Sequence, residues 1–319
     1  MKVFVTGGSG FLGGRLIEVL AERGVEVHAL ARSPRSEDRV ISRGAVQAVR
    51  GDLADRAALV AGLQGCDAVY HCAAYVDDSG DFDEAWAVNV EGTRAVLESA
   101  VEADVRTFIH VSTEAVLVGG DPIVRADERR TLPERPLGLY PTTKGAAEAV
   151  VRSAEGIRAV IVRPRFIWGA GDTTLLPRLE DAARSGQWAW IDRGQYATST
   201  CHVDNVVEGM LCAAERGEHG EVYFLTDGEP VEFRAFIERM AATRHLTLGE
   251  RSLPGWAAWM LASGLDGLRA MGLRGLPPLT RTAVKLIGEE VTVDDSRARA
   301  ELGYRPPVTV DQGLEAMRA

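Results

Sequence analysis

The chain opens on an apolar strand that runs directly into a glycine-rich turn. Residues 1–13 read Met-Lys-Val-Phe-Val-Thr-Gly-Gly-Ser-Gly-Phe-Leu-Gly, so Gly7, Gly10 and Gly13 follow the strand and open an amphipathic helix predicted over residues 11–23. This order of strand, turn and helix brings backbone N–H groups and a helix N-terminus against a pyrophosphate. The opening therefore predicts an α/β protein with a nucleotide site at its first turn.

Apolar strands alternate with helical segments through the first 165 residues. The predicted strands are Val3–Val5, Val25–Leu30, Ala45–Arg50, Ala68–His71, Thr107–Val111 and Ala159–Val162. Such alternation is typical of parallel strands joined by right-handed helical crossovers, the doubly wound parallel Rossmann sheet. Ligands in these sheets bind beyond the carboxyl ends of the strands, and several candidate residues fall there: Asp52, Ala73, Ala74, Thr113 and Pro164.

The composition of the sequence changes after Pro164, where short segments carry more Trp, Pro and Gly. We expect residues 1–165 to form the dinucleotide-binding domain and residues 166–319 to form mainly a smaller C-terminal α/β substrate lobe. Residues 200–215 are expected to return to the first domain.

Residues 253–272 are nearly long enough to span a bilayer, but Asp266, Arg269 and four glycines argue against a span. A helix that covers the substrate cleft is the favoured interpretation. Contact of this helix with a membrane surface is the less favoured alternative.

Composition excludes several classes of function. The net charge of −10 argues against binding of nucleic acid. Met1 lies one residue before the first strand, so we expect no signal peptide and a cytoplasmic protein. The cysteines have neither C-x-x-C nor metal-ligand spacing, which predicts reduced, buried thiols and no metal site.

A tyrosine and a lysine stand one helical turn apart in Tyr140-Pro-Thr-Thr-Lys144. Their spacing places both side chains on the same helix face. A tyrosine, with a pKa of about 10, exchanges protons at neutral pH only if a nearby cation stabilises its phenolate. Lysine occurs otherwise only at Lys2 and Lys285. Tyr140 and Lys144 are therefore a predicted acid–base pair, in which Lys144 lowers the pKa of Tyr140.

These motifs, with several others, resemble the extended short-chain dehydrogenases/reductases of the NAD-dependent epimerase/dehydratase superfamily. The pattern is most similar to 3β-hydroxysteroid dehydrogenases and dihydroflavonol-type reductases. The resemblance spans nearly the whole chain and includes the segments 51–53, 67–74, 89–93, 110–116, 140–148, 163–164, 169–172, 202–206 and 301–306.

The resemblance implies roles for four catalytic residues. Tyr140 would give a proton to a carbonyl oxygen, Lys144 would also bind the nicotinamide ribose, and Thr113 would polarise the carbonyl. Ser112 is the adjacent alternative to Thr113, but strand alternation points it to the opposite face. Asn89 matches an asparagine that anchors a relay water, and a plain structural role for its side chain is an equal alternative.

The cofactor is expected to be NADP(H) rather than NAD(H). The second strand ends in Leu30-Ala-Arg-Ser33, without the acidic residue that binds a ribose 2′-OH. Arg32 can instead pair with a 2′-phosphate, unless it is a solvated loop cation. The expected cofactor-binding residues are Gly7, Ser9, Gly10, Phe11, Leu12, Gly13, Arg32, Ser33, Asp52, Leu53, Ala73, Ala74, Tyr140, Lys144, Pro164 and Ile167.

The predicted activity is reversible reduction of a hydrophobic ketone to a secondary alcohol. Dehydratase chemistry is disfavoured because Glu114 is followed by Ala115 rather than by a second acidic residue. A nucleotide-sugar epimerase is the main alternative, although Thr198 stands where those enzymes usually carry a diphosphate-binding arginine. A cofactor-sensing protein without catalysis is a third hypothesis, disfavoured because the Tyr/Lys pair is present.

The substrate is expected to be a small hydrophobic carbonyl or alcohol without phosphate. The predicted contacts are Glu114, Phe166 and Trp168, and the predicted cleft-lining segments are 166–168, 175–177, 188–190 and 253–256. Their aromatic and aliphatic character favours binding through buried apolar area. By resemblance, helices near 85–102 and 140–153 would form a four-helix contact in a homodimer.

Overall fold

The computed structural model describes residues 1–173, 175–186 and 188–318. The strands are β1 (Lys2–Thr6), β2 (Glu26–Ala31), β3 (Gln47–Arg50), β4 (Ala68–His71), β5 (Thr107–Val111), β6 (Arg158–Pro164), β7 (Ile167–Trp168), β8 (Trp190–Ile191), β9 (Ala197–Thr198), β10 (Cys201–His202), β11 (Val222–Leu225), β12 (Val231–Glu232) and β13 (Ser252–Leu253).

Several of the helices begin next to a residue whose side chain caps the helix N-terminus. The helices are α1 (Phe11–Glu22), α2 (Pro34–Ser42), α3 (Arg56–Leu63), α4 (Phe82–Trp86), α5 (Gly92–Glu102), α6 (Leu139–Arg152), α7 (Leu175–Ser185), α8 (Val203–Arg216), α9 (Phe233–Ala242), α10 (Gly255–Ala270), α11 (Arg281–Ile287), α12 (Ser296–Glu301) and α13 (Val310–Ala316). Ser33, Asp55, Asp81, Thr280 and Thr309 each accept a backbone N–H at a helix start.

Seven parallel strands form the central sheet in the order β11-β6-β5-β4-β1-β2-β3. The strand order reverses between β1 and β4, and ligands bind at such a switch point in open α/β sheets. The six strands predicted from the sequence are all present, with ends shifted by at most two residues. The predicted Rossmann sheet is confirmed.

Alternation along β1 explains why helices cover both faces of the sheet. Val3 and Val5 pack into a core that contains side chains of α1 and α8. Phe4 points to the other face and packs into a core with side chains of α3, α5 and α6. Because the side-chain period of a strand is two, a run of apolar residues buries both faces.

The segment that returns to the main sheet is longer than the expected 200–215. Helix α8 packs against β5 and β6, and β11 then pairs with β6 at the edge of the sheet. The register places Val222 opposite Ile161 and Leu225 opposite Pro164.

The smaller lobe is built from two-residue strands around an aromatic core. Trp168, Trp190, Phe233 and Phe236 are buried there, with the rings of Trp168 and Phe236 in edge-to-face contact. Helix α10 packs on this lobe through Ala258 and Ala262, which contact a cluster that includes Val284. Within the described residues, every helix is too short or too polar to cross a membrane.

Candidate active site

The glycine-rich turn lies at the switch point, at the carboxyl end of β1. Gly7 has a φ of +69°, and a Cβ atom there would lie 2.6 Å from the Ala73 nitrogen. A Cβ atom on Gly13 would lie 2.5 Å from the Gly7 carbonyl oxygen. Side chains at these two positions would push apart the turn, helix α1 and the loop after β4.

The N-terminus of α1 is open to an anion. Gly10 is its N-cap and carries no side chain to satisfy the first N–H groups of this twelve-residue helix. Ser9, Phe11 and Leu12 complete the turn around those donors. The geometry fits a dinucleotide pyrophosphate, because the donors and the positive end of the helix dipole point at the same place.

The expected adenine-side residues lie on the loops after β2 and β3. Arg32 is exposed and forms no ion pair with any of the described residues, whereas the neighbouring Ser33 caps α2 in a capping box with Ser36. The Ser33 hydroxyl is therefore partly engaged within the protein. Asp52 accepts the N–H groups of Ala54 and Asp55, and so shapes the loop that carries Leu53.

The remaining expected cofactor contacts follow β4 and β6. The Ala73 N–H donates to the Thr6 hydroxyl, which ties the loop that carries Ala74 to the end of β1. Pro164 ends β6, and Ile167 pairs with Cys201 in the short strand β7. All of these residues lie at the carboxyl-end edge of the sheet.

Tyr140 and Thr113 come together although 27 positions separate them. Tyr140 lies in the first turn of α6, where its N–H donates to Asp78 Oδ1 at 2.8 Å. Thr113 follows β5, with its hydroxyl near enough to the phenol to lower the pKa of Tyr140. Ser112 points away and donates to Glu148, as strand alternation predicts. The structure thus places the Tyr140 phenol beside the Thr113 hydroxyl.

The expected effect of Lys144 on Tyr140 is wrong for this structure. Burial and the nearby Glu114 carboxylate raise the pKa of Tyr140, and the Thr113 hydroxyl opposes them. The Lys144 ammonium donates instead to the Val111 carbonyl at 2.7 Å and to His110 Nε2 at 3.2 Å. Burial lowers the pKa of Lys144 to about 8, so its proton is unusually easy to remove for a lysine.

Two stacked, buried histidines lie next to Lys144, which contacts one of them, His110, and the sequence reasoning missed both. His71 and His110 are paired in register on β4 and β5, with ring centroids 5.5 Å apart. Burial holds the pKa of both imidazoles below the usual range, to about 3 for His71, so neutral His110 accepts from Lys144. A histidine in each of two otherwise apolar strands was the sequence feature that could have revealed this pair.

Asn89 uses its side chain to hold other residues in place. Its Oδ1 accepts the Tyr75 N–H at 2.7 Å, and its Nδ2 donates to the Tyr75 carbonyl and the Thr143 hydroxyl, both at 2.9 Å. A π-helical turn, Ala87–Glu91, carries Asn89 between α4 and α5. These contacts favour the structural alternative, because the side chain joins the loop after β4 to α6.

Glu114 and Arg165 form a buried ion pair beside Thr113. Arg165 donates to Glu114 Oε1 at 3.0 Å and to Thr198 Oγ1 at 3.1 Å, and the other Glu114 oxygen accepts from Thr113 at 2.8 Å. Both side chains are only 4% exposed. Glu114 is therefore at the site as expected, but both of its oxygens are already bonded to the protein.

Phe166 and Trp168 contribute to the lobe core. Trp168 is fully buried, with its indole N–H on Asp227 at 2.7 Å, so the expectation that it contacts substrate is wrong. Trp190 and Leu176, in two other expected cleft segments, are buried as well. Phe166 is partly buried, and its ring makes edge-to-face contact with the ring of Phe233.

The comparison with known families agrees with this geometry. The model of the 3-beta hydroxysteroid dehydrogenase/isomerase family matches residues 4–254. The chain belongs to this family. It is an oxidoreductase with the extended short-chain dehydrogenase/reductase architecture, so the resemblance stated from the sequence is confirmed.

Two relatives match this family member along almost their whole length. A ketoreductase of Stigmatella aurantiaca that acts on 4-hydroxy-2-methyl-3-oxo-4-farnesyl-3,4-dihydroquinoline-1-oxide is 47% identical, over 100% of this chain and 96% of its own. A decarboxylating sterol-4-alpha-carboxylate 3-dehydrogenase of Dictyostelium discoideum is 31% identical, over 99% of each chain.

A solved structure is similar throughout. MoeE5 in complex with UDP-glucose and NAD superimposes with a TM-score of 0.73 and 25% identity, over 100% of this chain and 99% of that one. The similarity covers both the sheet and the smaller lobe.

Proposed function

We propose that this protein is an NADP(H)-dependent ketoreductase that interconverts a hydrophobic ketone and a secondary alcohol. The observation that carries the proposal is the Tyr140–Thr113 pair at the carboxyl ends of the strands, next to an arginine that Glu114 neutralises. The site thus offers a proton donor for a carbonyl oxygen, and its buried Arg165 is paired with Glu114 rather than available to a phosphate.

Each catalytic side chain has a chemical task in this proposal. A bound nicotinamide dinucleotide supplies hydride to the carbonyl carbon or accepts it in the reverse reaction. Tyr140 holds the proton that the carbonyl oxygen receives, and its raised pKa keeps that proton in place at neutral pH. Thr113 orients the phenol, and Lys144 is positioned by His110 and Val111 close to the expected nicotinamide ribose.

NADPH is the proposed cofactor because of the loop after β2. Arg32 is exposed and forms no ion pair within the described chain, so its guanidinium can pair with a 2′-phosphate. The N-terminus of α2 begins next to it and adds a favourable dipole for an anion. No acidic residue stands at this strand end to prefer a ribose 2′-OH.

Two observations support an apolar substrate. The two relatives are named for a farnesylated quinoline oxide and for a sterol carboxylate, both large apolar skeletons. The lobe adds aromatic and aliphatic groups, with partly buried Phe166 and Leu175 on its core. A substrate without phosphate gains affinity here by burying apolar area.

The epimerase alternative lacks its diphosphate-binding cation. Thr198 occupies the position of the usual arginine, and its hydroxyl is bonded to Arg165. Arg165 cannot replace that arginine at low cost, because it already neutralises Glu114 and donates to the Leu286 carbonyl at 2.7 Å. A diphosphate would have to break this buried pair.

A turnover assay tests the proposal. Purified protein with NADPH is offered aryl ketones, decalones, keto-steroids and UDP-glucose, and NADPH oxidation and sugar products are followed separately. We expect NADPH-dependent reduction of at least one apolar ketone and no change in UDP-glucose. Epimerised sugar without ketone reduction would overturn the assignment.

A further inference from the structure

The single proton of the Thr113 hydroxyl has two competing acceptors. One is the Glu114 carboxylate, with the Thr113 oxygen 2.8 Å from Oε2, and the other is the Tyr140 phenolate when that forms. The Thr113 oxygen also accepts the Ala115 N–H at 3.1 Å, which fixes the side chain. A hydroxyl can donate only once, so a proton given to Glu114 is withheld from Tyr140.

Arg165 forms an ion pair with the same Glu114 carboxylate. Its guanidinium donates to the Glu114 oxygen that Thr113 does not use, at 3.0 Å. Both side chains are almost fully buried, so the pair is screened little by water. A charged carboxylate is a stronger hydrogen-bond acceptor than a neutral phenol, so Thr113 donates to Glu114 as long as Tyr140 keeps its proton.

The other charged groups around Tyr140 are occupied elsewhere. Asp78, from the loop after β4, binds the Tyr140 backbone N–H rather than the phenol. Lys144, on the same helix as Tyr140, is held by Val111 and by His110 of β5. Arg165, which follows β6, faces Glu114. Glu114 is therefore the charge that contributes most to the protonation state of the phenol.

We propose that Glu114 is a positioning residue that holds the Thr113 proton and thereby keeps Tyr140 protonated, which favours carbonyl reduction over alcohol oxidation. The proposal rests on the proposed function for its kinetic consequence but not for its structural one. Reduction needs the phenol as acid, whereas oxidation needs the phenolate as base. Glu114 therefore sets the balance between the two directions at a given pH.

Glu114→Gln tests this directly. The glutamine amide can donate to the Thr113 oxygen, which releases the Thr113 proton for the phenolate. We expect the titration midpoint of Tyr140 to fall by at least about one pH unit, corresponding to a tenfold change in phenolate fraction. Labelling with ¹³Cζ-tyrosine and NMR of the cofactor-free protein measure this midpoint, and Tyr140→Phe assigns the resonance among the six tyrosines.

Two further variants make the result decisive. Glu128→Gln removes a half-buried carboxylate that accepts the Phe224 N–H at 2.8 Å, and it should leave the Tyr140 midpoint unchanged. If Glu114→Gln folds poorly because Arg165 is left unpaired, Glu114→Gln with Arg165→Met removes both charges and should still lower the midpoint. A midpoint that is unchanged or higher in both Glu114 variants would overturn the proposal.

The kinetic measurement distinguishes this inference from the proposed function. With a ketone that turns over, the alkaline loss of reductase activity should move to lower pH in Glu114→Gln, while alcohol oxidation at pH 7 should rise about tenfold. Equal losses in both directions, with no movement of the pH profile, would show that Glu114 only supports the fold. If no ketone is reduced but the NMR midpoint falls, the proposed function fails and the role of Glu114 stands.

Discussion

The two halves of the molecule place their functional groups in different ways. In the main sheet, strands of four to seven residues end at one edge, and the chain places polar groups just beyond those ends. In the smaller lobe, strands of two residues surround packed aromatic rings such as Trp190 and Phe233. In the proposed function, proton transfer and cofactor binding depend on the regular strand ends of the sheet, whereas substrate selection depends on packing in the lobe. Mutations in the main sheet should therefore reduce rate or cofactor binding, whereas mutations in the core of the lobe should reduce stability.

The largest effect is expected for Tyr140→Phe in the first half. The change removes the proposed proton donor and leaves the ring in place, so kcat should fall by about 100- to 10,000-fold. The dissociation constant of NADPH, measured by fluorescence titration, should change little. Near-native turnover would show that another group supplies the proton.

A change in the core of the smaller lobe is expected to cost a comparable free energy, but as lost stability rather than as lost rate. Trp190 is buried, its indole N–H donates to the Gly249 carbonyl at 2.9 Å, and Arg234 stacks over its ring. Trp190→Ala should lower the free energy of unfolding by about 3–5 kcal/mol in urea titrations. Trp256→Ala is the matched control, because Trp256 is 70% exposed and should cost little. Equal losses would contradict the view of Trp190 as a core residue.

Lys144→Ala should damage rate and cofactor binding together. We expect kcat to fall at least about tenfold and the NADPH dissociation constant to rise, since the ammonium is proposed to serve both. Lys285→Ala is the control, because Lys285 forms a half-exposed pair with Glu289 on the lobe. A loss of rate with unchanged NADPH affinity would remove the proposed ribose contact.

A smaller and more selective effect is expected at the cofactor loop. Arg32→Ala should raise KM for NADPH about tenfold and KM for NADH much less, because only NADPH carries the 2′-phosphate. Arg35→Ala, a change at an exposed arginine in the first turn of α2, should have a weaker effect. Equal increases with both cofactors would show that Arg32 does not contact the phosphate.

The sequence predicted the first half well because its signals are local. Apolar alternation marked each strand of the main sheet except β11, the strand ends placed Thr113 at the binding edge, and helical spacing paired Tyr140 with Lys144. The Glu114–Arg165 pair joins residues 51 positions apart, and no periodicity reports such a contact. Trp168 was misassigned because an aromatic residue in a short strand is equally compatible with a cleft and with a core. The direction of the Tyr140 pKa depended on burial of the phenol and on the Glu114 carboxylate beside it, which spacing along the chain does not report.

A homologous ketone series tests most directly the claim that the lobe selects apolar substrates for the catalytic half. With NADPH saturating, kcat/KM is measured for ketones that differ by one methylene at a time, and UDP-glucose is added as a competitor. Burial of about 0.8 kcal/mol per methylene predicts a rise of about fourfold at each step until the cleft is filled, without inhibition by UDP-glucose. A flat or falling series, with UDP-glucose inhibiting or being epimerised, would contradict the account.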